Sequence, residues 1–398
     1  MRHKSTIDRS GVGPLSIAMV GTRGVPAAYG GFETAVEEIG RRLVEKGHEV
    51  IVYTRGSQSR GREYLGMRTI HLPAVPQKQL ETLSHTGLST LHAITRHRPD
   101  VAFVFNAANS PFLPPLRARR IPSALHMDGL EWRRSKWGRR GKAYYRWAEE
   151  FGVRQGDALI ADAPGIADYY RHQFGVSTEM IRYGAPLLED APTGGVQALG
   201  LQPDGYHLVV ARFEPENHVL EIVRGYRDSD ATLPLAVVGS APYSAGYTRE
   251  IAEIAEADPR IRLLGAIYDQ DLLDALYVHA FTYVHGHSVG GTNPSLLRAI
   301  GAGTPVIAYD VGFNRDVLDD EGWFFTTAAD VASQLLLTEA DPAAVAARGR
   351  RNREHAATAF SWDDVADAYE DLARRLARGE SVHPQARRAR RRDEEWSG

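Results

Sequence analysis

The 398-residue chain contains no cysteine. That one absence excludes a disulfide framework, a zinc–thiolate site and a thiol nucleophile, and it suits a reducing, cytoplasmic compartment. No uninterrupted apolar run approaches the roughly 20 residues needed to cross a bilayer. The opening MRHKSTIDRSGVGP carries charge but no apolar h-region, so it reads as a disordered lead-in (1–13) and not as a signal peptide. No charge sign dominates: 47 Lys and Arg face 50 Asp and Glu, for a net charge of -3. A chain so balanced is no polycation, and a nucleic-acid partner is not expected. The histidines are scattered. His285 and His287 share one side of a strand, but no third ligand accompanies them, which predicts no metal site.

What is present is a two-domain amount of ordinary globular sequence, 43% hydrophobic and 24% charged. Strand-like apolar runs alternate with helix-like periodicity. The first strand is predicted at 15–20. A helix over 32–46 follows, with Phe32, Ala35, Val36, Ile39 and Leu43 on one stripe and Gly47 as its stop. Further strands are predicted at 49–53, 68–72, 101–105, 123–127 and 158–162. The pattern breaks over 186–205, rich in Pro, Gly and Asp, and a second series begins. Its strands are predicted at 207–212, 235–239, 261–265, 281–285 and 305–309, with a helix near 217–227 and closing helices at 341–358 and 362–378. Near-continuous apolar strands separated by helices indicate parallel, doubly wound sheets. The expected organisation is α/β: a Rossmann-like domain over 14–190, a second over 205–360, a closing helix at 361–378 and a disordered charged tail at 379–398. Ligands in such sheets bind beyond the carboxyl ends of the strands.

The chemistry-bearing motifs fall at those ends. GTRGVPAAYGGFE (21–33) joins the first strand to the first helix. Its spacing is not G-x-G-x-x-G, and the second strand ends in Tyr53-Thr54-Arg55 where a dinucleotide site wants an acid, so it reads as a different ligand loop or as a purely structural one. In VARFEPENH (210–218), Arg212 closes a strand and can address a phosphate bidentately, or pair with Glu214 or Glu216 on the surface. In HSVGGTNPSLLRAIG (287–301), Gly290 and Gly291 allow a tight turn. Thr292 or Asn293 caps a helix that opens at Pro294, leaving a helix N-terminus suited to an anion or a ribose. In LHMDGLEWRR (125–134), Asp128 and Glu131 follow a strand and can hold an acceptor hydroxyl, although Asp before Gly is also a common turn. WRRSKWGRRGKAYYRW (132–147) is basic, aromatic and acid-free. It suits either an anionic membrane surface or a solvated face with its aromatics turned inward.

Taken together these strings resemble the retaining glycosyltransferases of family 4, which have the GT-B fold: two Rossmann-like domains facing each other across a cleft. The resemblance runs from about 15 to 375. GTRGVPAAYGGFET, DGLEW, ADAPGIADYY and HGHSVGGTNPSLL are similar to a bacterial rhamnosyltransferase-like subgroup tied to surface polysaccharide assembly. The resemblance implies a nucleotide-sugar donor, dTDP- or UDP-linked, held mainly by the second domain. It implies an acceptor, a lipid-linked saccharide or a polysaccharide, held by the first. Arg212 would neutralise the diphosphate, and the helix capped by Asn293 would point its positive end there. Ser288, Gly290, Gly291 and Thr292 would line the sugar or phosphates, with Asn217 beside them. Gly30 and Gly31, with Glu131, would face phosphate and acceptor, and Asp128 would orient the acceptor hydroxyl. No metal or other cofactor is implied. Asp228-Ser229-Asp230 matches the metal-binding string of some sugar transferases but sits in a helix-to-strand loop, at the wrong end of a sheet.

Two departures stand out. Many family members carry two glutamates eight positions apart where this chain has Gly290 and Arg298, and a lysine where it has Asn217. Arg298 cannot accept hydrogen bonds from ribose hydroxyls. It either supplies the charge that Asn217 lacks or forms a local salt bridge. A dTDP donor, which has no 2′-hydroxyl, would tolerate the lost glutamate best. The rival expectations are a nucleotide-sugar epimerase of the same fold and a sugar-nucleotide-binding protein with a decayed site. The expected location is cytoplasmic, with peripheral contact to the inner membrane face through 132–147.

Overall fold

The computed structural model describes residues 13–27, 31–56, 62–77, 80–127, 129–134, 137–240 and 245–380. Two of the residues singled out above, Gly30 and Asp128, lie outside them, as do the lead-in 1–12 and the tail 381–398.

The first sheet contains β1 (Ser16–Val20), β2 (Glu49–Thr54), β3 (Glu63–Tyr64), β4 (Met67–His71), β5 (Val101–Phe105), β6 (Ser123–Met127), β7 (Ala158–Ala161) and β8 (Glu179–Met180). Their spatial order is β3-β4-β2-β1-β5-β6-β7-β8, and only the β3–β4 pairing is antiparallel. The second sheet contains β9 (His207–Val210), β10 (Leu235–Val238), β11 (Ile261–Gly265), β12 (Thr282–His285), β13 (Val306–Tyr309) and β14 (Trp323–Phe325). Its order is β11-β10-β9-β12-β13-β14, parallel throughout. Each sheet winds outward from its first strand in one direction and then in the other. The reversal between β1 and β5, and between β9 and β12, opens a crevice at the strands' carboxyl ends.

The apolar runs become strands because helices cover both faces. All five residues of β5 are buried, as are all five of β6. The helix Gly31–Glu45 buries Ala35, Val36, Ile39 and Leu43, the stripe its periodicity announced. The strands missing from the sequence reading are β3, β8 and β14. They have two or three residues and sit at the sheet edges; β3 and β8 carry no apolar run, and the Trp-Phe-Phe of β14 is too short to mark a strand by itself.

The two halves share one core. The helix Trp362–Ala377 follows the second domain in sequence but packs on the first. Tyr369 meets Phe103 edge-on at 4.8 Å, and Arg375 pairs with Glu179 at 2.7 Å. His48 Nδ1 accepts from the Leu15 amide at 3.0 Å, so its Nε2 carries the proton given to Glu370 at 3.1 Å. The segment 186–205, expected as a plain linker, includes a short helix, Gly194–Ala198, that buries Val196.

One half-buried carboxylate organises the amino-terminal end of the second sheet. Glu339 accepts from His207 Nε2 at 3.1 Å, Thr232 N at 2.8 Å, Thr232 Oγ1 at 2.7 Å and Leu233 N at 3.1 Å. Burial pushes its pKa up, but these donors outweigh burial and hold it down to about 2. Its contribution is therefore complete above the unfolded carboxyl value and is lost as pH falls through about 2. Glu339→Gln should lower stability at pH 7 by about 2 kcal/mol, measured by urea unfolding, because an amide NH2 replaces an acceptor facing backbone N–H groups.

Candidate active site

Both crevices open toward each other, and glycines set how closely. A Cβ on Gly129, in the loop after β6, would lie 2.6 Å from Gly290 Cα and 2.8 Å from Gly291 N. A Cβ on Gly31, the first residue of its helix, would lie 2.8 Å from Pro294 Cγ, at the start of the helix Pro294–Ala302. At Gly129 the lips of the cleft are backbone against backbone, and at Gly31 backbone meets the Pro294 ring. Thr292 Oγ1 donates to the Asp162 carbonyl at 3.0 Å, a hydrogen bond from one domain to the other.

The floor on the second-domain side is a hydrogen-bonded frame. Asn293 caps the helix Pro294–Ala302: its Oδ1 accepts from Ser295 N at 2.9 Å and Ser295 Oγ at 2.7 Å. Pro294 has no N–H, and the N–H groups of Ser295, Leu296 and Leu297 are all taken by Asn293, so what this end offers an anion is the positive end of the helix dipole. Arg212 follows β9, its side chain 42% exposed and 3.7 Å from Glu214, a loose pairing that leaves the guanidinium available. Asn217 Nδ2 donates to the Arg212 carbonyl at 2.8 Å, while its Oδ1 meets His287 Nδ1 at 2.7 Å. Ser288 donates through both N and Oγ to the Glu216 carbonyl, at 2.9 and 3.1 Å. His218, at φ +48°, stacks on Tyr309 at 4.0 Å, and its Nδ1 donates to the Gly286 carbonyl at 2.8 Å. Burial pushes the His287 pKa well below its ordinary value, and His285, Arg134 and Arg212 push it further. His287 is therefore neutral, and the local positive charge comes from the arginines.

Several expected roles are relocated. Asn217 is committed to bonds within its own domain and Thr292 to the bond between the domains, so each positions its neighbours. The carboxylate of Glu131, expected to face acceptor or phosphate, is 2.5 Å from Arg134 Nε and accepts from Trp137 Nε1 at 3.2 Å. Its work is to aim Arg134. Arg298 pairs with Asp274 of the helix Gln270–Val278, which is the local salt bridge. Gly291 sits against Ile166 and Asp162, where a Cβ would lie 2.7 and 2.8 Å away, at the domain contact. Arg55, at the end of β2, pins the first loop through Thr22 O at 3.2 Å and Glu81 at 3.1 Å. Arg134 was legible only as one member of a basic run.

The basic helix Arg139–Gln155 turns part of its sequence inward and leaves part exposed. Tyr145, Ala148 and Val153 face inward, whereas Trp147 is 47% exposed and stacks on Phe151 at 5.2 Å. Glu149, on the buried face, accepts from Tyr169 OH at 3.3 Å, and burial pushes its pKa up to about 7. The folded state thus prefers the neutral acid. Stability is greatest below the unfolded carboxyl value and declines as pH rises toward 7. Glu149→Gln should raise Tm by a few degrees at pH 8 and by roughly nothing at pH 4, read by calorimetry at the two pH values. Among the described residues no three His, Asp or Glu side chains gather as a metal site, and no helix is long and apolar enough to cross a membrane.

With this geometry in hand, comparison with known proteins is informative. Residues 30–184 match the family of glycosyl transferase 4-like domains, and residues 206–351 match the glycosyl transferases group 1. A curated relative, O-antigen chain mannosyltransferase B of Escherichia coli, is 26% identical over 131 residues, 32% of this chain and 34% of its own length. The match therefore spans about a third of that relative. Among solved structures, sucrose-phosphate synthase of Thermosynechococcus elongatus superposes with a TM-score of 0.79 at 21% identity, covering 91% of this chain and 99% of that one. Anabaena HepE in complex with UDP superposes with a TM-score of 0.73 at 14% identity, covering 90% and 99%. At these identities the likeness establishes the two-domain α/β fold.

Proposed function

The chain belongs to the glycosyltransferases of GT-B type, and we propose that it moves a hexose, rhamnose in the first instance, from a nucleoside-diphosphate donor to a lipid-linked saccharide or a polysaccharide. The observation that carries this is the donor cradle. An available Arg212 and the capped N-terminus of Pro294–Ala302 flank one crevice, opposite the glycine lip of the other domain. Cation and helix terminus together suit a diphosphate. HepE, a structural neighbour, binds UDP, which supports a nucleotide donor here.

We propose a retaining reaction without metal. The acceptor oxygen attacks the anomeric carbon on the face that the diphosphate leaves. The C–O bond to phosphate breaks as the new one forms, and the departing phosphate oxygen takes the acceptor proton. Arg212 and the helix terminus stabilise the charge gathering on that leaving group, so catalysis is positioning and electrostatics. Asp128 is the proposed partner of the acceptor hydroxyl. The exposed Trp147 beside basic residues supports docking on an anionic membrane surface, at the cytoplasmic face. The reading favours dTDP because Arg298 stands at the position that the resemblance assigns to the ribose, and dTDP has no 2′-hydroxyl to satisfy.

Thermal-shift binding against dTDP, UDP, GDP, ADP and NAD tests the reading. Selective stabilisation by dTDP supports the rhamnosyl donor, and UDP or GDP would replace the sugar class. Stabilisation by NAD alone would overturn the reading. Nucleotide binding with no transfer to any acceptor fits the decayed-site alternative, and release of an epimer without acceptor fits the epimerase.

A further inference from the structure

A cavity of about 470 Å³ opens at the end of the first sheet opposite the cleft. Its wall includes Asp100, Pro122 and Asp157, the residues just before β5, β6 and β7, so it lies at the strands' amino ends. Pro99, Ile121 and Leu376 give it a buried apolar floor. Four arginines line the rest: Arg98, Arg117, Arg119 and Arg120. Two of them end helical segments in the left-handed conformation. Arg98 follows Ala93–His97 at φ +49°, and Arg120 stands just past Leu113–Ala118 at φ +61°. Gly or Asn would take those positions with less strain, so arginine there points to a use for its side chain.

The acids of the cavity are already engaged. Asp157 accepts from Arg117 Nη2 at 3.1 Å and from Ser123 N at 3.0 Å. Asp100 accepts from Ser16 N at 2.8 Å, and Glu380 from Arg378 Nε at 2.8 Å. Among the described residues, the side chains of Arg98, Arg119 and Arg120 have neither an ion pair nor a hydrogen bond. Their guanidinium groups share one concavity with Asp100, the lining acid not paired with an arginine.

We propose that this cavity binds the phosphate or diphosphate group of a small soluble ester. Guanidinium forks address phosphate oxygens bidentately and stay charged at any working pH. A monovalent carboxylate leaves most of that charge unanswered, whereas a phosphate monoester brings about two negative charges and several acceptor oxygens. The volume is that of a small-molecule site, and the apolar floor can pack under the ester's carbon skeleton. The site is separate from the donor cradle at the carboxyl ends of the second sheet, and it stands whether or not the chain transfers a sugar.

Arg212→Ala protein, its donor cradle disabled, is titrated calorimetrically with inorganic pyrophosphate. Adding Arg119→Gln and Arg120→Gln should weaken pyrophosphate binding about tenfold or more, the loss expected for charge-assisted hydrogen bonds. Adding Arg98→Gln instead, at a different helix end, should weaken it as well, which guards against misfolding of either variant. Adding Arg139→Gln and Arg140→Gln, an equal loss of charge on the exposed start of another helix, should leave it within about twofold. With Arg212 intact, Arg119→Gln/Arg120→Gln should bind nucleoside diphosphates as wild type does, so failure here is distinct from failure of the glycosyltransferase reading. No pyrophosphate binding, or equal weakening by the two pairs of substitutions, overturns the proposal. Phosphatidylglycerol vesicles are the second arm. If they bind where pyrophosphate does not, and Arg119→Gln/Arg120→Gln abolishes that binding, the phosphate belongs to a lipid headgroup and the soluble ester is overturned.

Discussion

Arg212→Ala should lower kcat/KM by about 10²–10³-fold and weaken the bare nucleoside diphosphate by at least tenfold, with Tm unchanged within a degree or two. Such losses are typical when a charge-stabilising donor is removed from a site where charge develops. The residue is positioned for this. Its backbone carbonyl is clamped by Asn217 at 2.8 Å, whereas its side chain is 42% exposed and its guanidinium stands 3.7 Å from one oxygen of Glu214. A structural arginine would show the opposite pattern, with its head tied up in hydrogen bonds, as Arg260 is with Asp258 and three carbonyls. Arg212→Lys should recover part of the loss, since a point charge replaces a bidentate fork. Steady-state kinetics and titration on both variants check this, and a change below about threefold in Arg212→Ala would remove Arg212 from the diphosphate site.

Gly129→Val should cost about 10²-fold in kcat while leaving each domain folded. The existing backbone of Gly290 lies 2.6 Å from where the first added carbon would stand, and what must yield is backbone of the opposite domain. The cleft has to open by an ångström or more, and displacement of that order between reacting groups is worth about two decades in rate. The nucleotide cradle lies wholly in the second domain, so diphosphate binding should survive. That split separates this variant from Arg212→Ala, where binding itself falls. Titration, kinetics and small-angle scattering together check it. A variant with native kcat would show that the close contact of Gly129 and Gly290 is not part of the working geometry.

The elements that were legible in the sequence share a physical cause. β5 and β6 are buried on both faces, so every residue except His126 is apolar or small, and a near-continuous run marks such a strand. Gly31–Glu45 buries one face, which leaves the 3.6-residue stripe. Glu63–Tyr64 and Glu179–Met180 have no such signature, because a two-residue strand is defined by its partner. The helix Trp362–Ala377 was foreseen, but its allegiance to the first domain was not. That choice is made by its buried face, where Tyr369 meets Phe103, and is flanked by Arg42, Lys46 and His48, which meet its Asp363, Asp367 and Glu370.

The candidate site divides in the same way. Arg212, the Gly290–Gly291 turn and the Asn293 cap stood out because local rules demand those residue types there. Glu131 and Asn217 stood out equally, yet the fold spends them on Arg134 and His287. By itself the sequence determined the two wound sheets, the positions of the ligand loops and the lack of thiol chemistry, because burial, period and turn geometry act within a few neighbouring residues. Only the tertiary structure decided that Asn217 holds His287, that Thr292 bonds to the other domain, and that Arg298 answers to Asp274. Those facts depend on which polar groups folding brings together, and residues far apart in the chain carry no local mark of it.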